Sequence, residues 1–148
     1  MDLFGPYDPS NVFARILRGE LPADKVFEDD HVLAVLDLYP QARGHTLVLP
    51  KAPASTLLDI EPDALCDLMR CVQRVARGVR EALQSDGLSI MQFNGSAGGQ
   101  SVFHLHVHVI PRFSGQALTG HASGARADPA ELARLAQQIA AAIDAALA

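Results

Sequence analysis

Phe103-His104-Leu105-His106-Val107-His108-Val109-Ile110-Pro111-Arg112 alternates apolar and imidazole side chains over its first seven residues. Successive side chains of a strand point to opposite faces. The alternation therefore predicts a strand over Phe103–Ile110, with His104, His106 and His108 on one face. Phe103, Leu105, Val107 and Val109 occupy the other, the face suited to packing on a helix. Adjacent imidazoles would stand about 6.6–6.8 Å apart along the strand. Three of the chain's 6 histidines fall within these residues. A merely half-exposed strand would be served as well by Thr, Lys or Glu. Imidazole is the side chain suited to acid–base, nucleophile and metal work near pH 7, so the row points to chemistry.

Two chemistries fit the row. Two histidines two apart on a strand can hold zinc, with His45, Asp37 or His31 as a further ligand. Alternatively the imidazoles act as nucleophile and acid–base groups on a phosphoryl group. The preceding stretch, Asn94-Gly-Ser-Ala-Gly-Gly-Gln-Ser101, favours the second, because glycines let backbone amides approach an anion. It is not a P-loop, since it lacks Gly-Lys-Ser/Thr and leads into a strand.

Outward from this core, Ser10 or Asn11 caps a short helix bearing Phe13, Ile16 and Leu17, stopped at Gly19. Lys25–Leu38 reads as two strands joined at Glu28–His31, and His45–Leu49 as a third, ended by Pro50. Pro62 starts a long amphipathic helix with Leu65, Leu68, Met69, Val72, Val75, Ala76, Val79 and Leu83 at 3–4 spacing. Leu88–Phe93 is a fourth strand. Asp128-Pro-Ala-Glu131 resembles a capping box opening a last helix, with Leu132, Leu135, Ile139 and Ile143 inward. Consecutive strands, a helix, then two more strands predict an α+β fold: an antiparallel sheet of about five strands backed by helices. Residues 1–9 read as a loose tail, 10–112 as the domain proper, 113–127 as a flexible loop and 128–148 as the C-terminal helix.

The 148 residues suit one domain. Their 49% apolar content is inflated by alanine. A net charge of -5 without any Lys/Arg block argues against nucleic acid as partner, and no apolar run spans a membrane. Cys66 and Cys71 lie five apart on one helix, about 8–9 Å between Cα atoms, beyond disulfide reach. With no signal-peptide pattern at the N-terminus, free thiols predict a cytoplasmic protein.

His-Leu-His-Val-His-Val-Ile matches the histidine-triad pattern, and the chain resembles the HIT family, in particular its Hint branch. Leu21-Pro-Ala, Phe27-Glu-Asp-Asp, Leu36-Asp-Leu-Tyr-Pro, Gly44-His-Thr-Leu-Val-Leu-Pro-Lys51 and Asn94 to His104 carry the likeness in order, over roughly residues 11–112. The resemblance implies the HIT-like fold, with one long central helix, and a homodimer. It also implies a hydrolase or transferase that cleaves at the α-phosphate of nucleoside phosphoramidates through a covalent nucleotidyl-histidine. His106 would be the nucleophile, His104 and His108 would orient it and contact phosphate, and His45 would relay protons. Ser101 would bond phosphate or leaving group, with Asn94, Gly99 and Gln100 lining the phosphate side. Asp37 would take the ribose hydroxyls, and Phe13, Ile16, Leu21, Val35 and Leu38 would form the base slot. Relatives with a structural zinc use a Cys-x-x-Cys and a later histidine. Asn11, Ala14 and Pro53 stand there instead, so no metal and no other cofactor is expected. A dinucleoside polyphosphate hydrolase, a zinc hydrolase and a non-catalytic nucleotide-binding module are the alternatives.

Overall fold

A computed structural model describes residues 4–120 and 124–148. The chain runs α1 (Val12–Leu17), β1 (Lys25–Glu28), β2 (Val32–Leu36), β3 (Thr46–Pro50), α2 (Pro62–Leu83), β4 (Gly87–Met91), a 3-10 turn (Ser96–Gly98), β5 (Val107–Arg112) and α3 (Pro129–Leu147). The five strands form one sheet in the order β1-β2-β3-β5-β4, and every neighbouring pair is antiparallel. The architecture is the α+β arrangement expected.

Helix caps agree with the sequence. The Asn11 side chain accepts from the Ala14 N–H, and the Asp128 side chain accepts from the Glu131 N–H. Glu131 does not complete the capping box, because its carboxylate pairs with Arg43 and Arg134 instead.

Strand alternation divides the core in two. Val32, Ala34, Leu36, Val48, Val107 and Val109 face α2 and α3, joining Leu68, Val75, Leu135 and Ile139. Leu33, Val35, Leu47 and Leu49 face the other way and meet Phe13 of α1. Cross-strand partners share a face, so the pairings Val35–Leu47, Leu47–His108 and Met91–His108 put His108 on the α1 side. Both faces of β2 and β3 are covered, which is why every residue of the two strands is buried.

The triad strand begins later than its alternation predicts. β5 starts at Val107, leaving His104 and His106 in irregular backbone ahead of it. The reason is competition from the end of β3 and the loop after it. Leu105 N–H donates to Ala54 O at 2.8 Å, and the His104 ring bonds Pro50 O, so this stretch is drawn away from the ladder. β5 continues instead to Arg112. Its Pro111 lies past Val109, the last residue paired with β3, where a strand tolerates proline.

Two segments expected to be loose are anchored in their described parts. Phe4 packs on Phe103, Tyr7 bonds His104, and Pro9 O accepts from Arg18. In 113–127, Thr119 Oγ1 donates to Gln41 O and the Ala127 N–H to Leu38 O; residues 121–123 lie outside the described ones. Among the described residues no helix is long and apolar enough to cross a membrane.

Candidate active site

On the α1 side of the sheet lies a cavity of about 320 Å³. Val12, Phe13, Ile16, Val35, Leu38 and Leu47 give it an apolar wall, and Asp37, His45, Ser101, His106 and His108 a polar one. No Lys or Arg borders it among the described residues. Among the described residues Asp37 is its single carboxylate.

The ring partners assign the tautomers of all four histidines. The Gln41 backbone N–H donates to His45 Nδ1 at 3.0 Å, so the His45 proton sits on Nε2. That nitrogen is 2.9 Å from His108 Nδ1 and 3.6 Å from Asp37 Oδ2. His45 Nε2–H therefore donates to His108 Nδ1, and His108 carries its own proton on Nε2. His106 Nδ1 lies 2.7 Å from the His104 carbonyl, an acceptor only, so Nδ1 carries a proton, and in the neutral ring the lone pair is on Nε2. Phe13 meets the His106 ring edge-on at 4.8 Å and His108 stands 5.0 Å away, both fixing its orientation.

His104 is set apart. Its ring is fully buried and does not border the cavity. Nε2–H donates to Pro50 O at 2.8 Å, and Tyr7 O–H donates to Nδ1 at 2.6 Å. Burial pushes its pKa below the ordinary histidine value, partly countered by the bond to Pro50 O. The ring is neutral at pH 7.

The glycine-rich loop reaches the cavity only through Ser101 and Val102. Asn94, Gly99 and Gln100, expected on the phosphate side, do not border it. Asn94 Oδ1 accepts from the Leu57 N–H. Gly99, at φ +99°, ends the 3-10 turn in a conformation that glycine alone adopts freely. The Gln100 carboxamide is buried, accepting from Gly95 N–H and donating to Ser55 O and Val102 O. These three residues build the loop that carries Ser101. Leu21 also falls outside the lining, while Phe13, Ile16, Val35 and Leu38 are in it. Sequence reasoning gave no role to Val12, Tyr39 and Gln41; Val12 and Tyr39 stand beside Phe13 and Leu38, which it did single out, and Gln41 carried no such signal.

Asp37, His45 and His108 bring ligand atoms within 4.8 Å of one another. They could hold a cation only by giving up the His45–His108 hydrogen bond. His31 is remote from this cluster, exposed in the β1–β2 turn beside Asp67. At two of the positions where the resemblance puts zinc ligands, Asn11 is occupied as the α1 cap and Ala14 is a buried methyl.

The HIT domain family model matches residues 18–115. The chain belongs to the HIT family. A Hit-like protein involved in cell-cycle regulation from Bartonella henselae superposes with a TM-score of 0.89 at 43% identity, covering 93% of this chain and 99% of that one. A Zn-bound histidine triad family protein from Mycobacterium smegmatis gives 0.83 at 38% identity, covering 93% and 95%. Adenylylsulfatase HINT3 of Arabidopsis thaliana is 39% identical over 101 residues, 68% of this chain and 51% of that protein. This HIT-family chain thus falls in a superfamily of nucleotide-binding proteins and hydrolases.

Proposed function

We propose that this HIT protein hydrolyses nucleoside phosphoramidates through a covalent nucleotidyl-His106. The observation that carries the reading is the tautomer assignment, which leaves His106 with its lone pair on Nε2 while Nδ1–H is held by a carbonyl. Nε2 attacks the α-phosphorus and the P–N bond to the leaving amine breaks. As positive charge develops on the ring, the His104 carbonyl dipole at 2.7 Å stabilises the Nδ1–H. His108 Nε2–H, oriented by His45, bonds a phosphate oxygen. Ser101, exposed at the cavity edge, bonds the leaving nitrogen and passes it a proton from solvent. Water then attacks phosphorus and releases a proton to solvent, the P–N bond to His106 breaks, and nucleoside monophosphate leaves. The base lies in the apolar slot, and Asp37 accepts from the ribose hydroxyls.

The electrostatics favour an amine over a polyphosphate as leaving group. A phosphoramidate brings one negative charge, whereas a dinucleoside polyphosphate brings several into a cavity bordered by a carboxylate and no described cation. The deciding experiment is steady-state hydrolysis of AMP and GMP phosphoramidates against diadenosine polyphosphates and adenylyl sulfate. Faster turnover of the phosphoramidates supports the reading. Preference for the polyphosphates refutes it, and binding without turnover of any makes the chain a nucleotide-binding module.

No resident metal is needed for this chemistry. Zinc at stoichiometric level in the purified protein, with activity lost on chelation and restored by zinc, would overturn that. The chain acts as a homodimer: β4 is an open sheet edge, with Ile90 on it and Met69 on α2 both 46% exposed. Sedimentation at micromolar concentration tests this. The free thiols of Cys66 and Cys71 suit the cytoplasm.

A further inference from the structure

Neither ring nitrogen of His104 is available to substrate, because Pro50 O takes Nε2–H and the Tyr7 hydroxyl occupies Nδ1. What His104 offers the chemistry is its backbone carbonyl, which holds His106 Nδ1–H. A carbonyl stays in place only as well as its residue does, and this residue is fastened at both ends of its ring. One fastening is Pro50 O. The other is a side chain from the N-terminal segment, outside the triad and outside the cavity.

The segment is built to deliver that hydroxyl. Phe4 lies against Phe103 at a centroid distance of 6.5 Å. It also fills the space beside Gly95, where a Cβ would come within 2.8 Å of its ring. On the other side of Tyr7, Asn11 Nδ2 and Arg18 Nη1 donate to Asp8 O and Pro9 O. The chain is thus tied before and after Tyr7. The Tyr7 ring meets His104 edge-on at 5.7 Å, with its O–H at 2.6 Å from Nδ1. Since Nδ1 carries the lone pair, the tyrosine must be the donor.

We propose that Tyr7 is a positioning residue of the triad: by clamping the His104 ring it fixes the carbonyl that orients His106 and aims Nε2 at phosphorus. This inference rests on the hydrolase reading of the same site. Tyr7 touches neither substrate nor cavity, so its removal affects the approach to the transition state and leaves ground-state nucleotide binding intact.

Tyr7→Phe keeps the ring that covers His104 and deletes only the donor. A neutral hydrogen bond of ordinary worth then predicts a fall in kcat of about 3- to 10-fold with KM unchanged. Nitrogen-15 NMR of the histidine rings reads the same event without turnover. In Tyr7→Phe the His104 Nδ1 resonance moves and the His106 Nδ1–H exchanges faster with solvent. A purely structural role would lower the melting temperature and leave kcat of the folded protein and His106 exchange alone; that outcome overturns the proposal. In the wild type, finding the His104 proton on Nδ1 overturns it as well, which keeps it testable whatever the variant's stability. If wild type hydrolyses no nucleotide, the hydrolase reading fails, and unchanged or faster His106 exchange still decides the clamp.

Discussion

At the reacting atom, the His106 ring has one nitrogen committed to a backbone carbonyl and the other carrying its lone pair; His104 shares that pattern, but Tyr7 occupies its lone pair and its ring does not border the cavity. His106→Ala is therefore expected to reduce turnover by about three orders of magnitude or more, as loss of an activated nucleophile does. Nucleotide affinity by calorimetry should stay within a few-fold, because the slot residues and Asp37 are untouched. Label from radioactive substrate should be trapped on the wild type and absent from the variant. Asp37 needs a gentler substitution. Its Oδ1 accepts from the Tyr39 N–H at 2.8 Å, so alanine would loosen the turn as well. Asp37→Asn keeps an acceptor there and removes the charge. It should weaken AMP by about 1.5–3 kcal/mol and erase the preference over dAMP. Equal affinities of wild type and variant for both nucleotides would return Asp37 to its turn role alone. Alternation in the sequence was enough to group the three histidines. It could not reveal that His104 turns its ring to Tyr7, because Gly5, Pro6 and Pro9 make that segment look loose. Nor could it show that Asn94 and Gln100 stay off the cavity lining, since their partners Leu57 and Ser55 lie 37 and 45 residues away.

Elements were legible where one physical cause acts alone. The α2 stripe follows the 3.6 period, and Leu68, Val72, Val75 and Val79 are buried as the period requires; Met69, grouped with them, is exposed. The alternation alone places the start of β5 too early, because a loop hydrogen bond, not propensity, decides where the ladder begins. The crossing of α2 and α3 was invisible too. It depends on Gly78, where an added Cβ would lie 2.3 Å from Ile143 Cγ1, and Ile143 is fully buried. Replacing that glycine by alanine gains about 1 kcal/mol of helix propensity. Overpacking against a fixed side chain costs about 1–3 kcal/mol. Gly78→Ala should thus be a net loss of about 1 kcal/mol, read as a lower urea midpoint at unchanged slope. In a cycle with Ile143→Ala, the double variant should be more stable than the sum of the two losses, since each change relieves the other.

For the molecule as a whole, charge is the property that links sequence to substrate most directly. The net charge of -5 was read from composition as an argument against nucleic acid. The cavity sharpens the same argument to the scale of one ligand, because its border holds Asp37 and no described Lys or Arg. A monoanionic phosphoramidate meets weak repulsion on approach, and a polyphosphate meets several-fold more. Salt screens such repulsion over a Debye length of about 30 Å at 0.01 M and about 8 Å at 0.15 M. Raising ionic strength across that range should therefore increase kcat/KM for a diadenosine polyphosphate and change it little for an AMP phosphoramidate. The gap between the two substrates narrows with salt but keeps its sign, since the loss of a leaving amine is unaffected by screening. A polyphosphate rate that falls with added salt would mean that a cationic surface steers the substrate in, and the charge argument for phosphoramidates would fail with it.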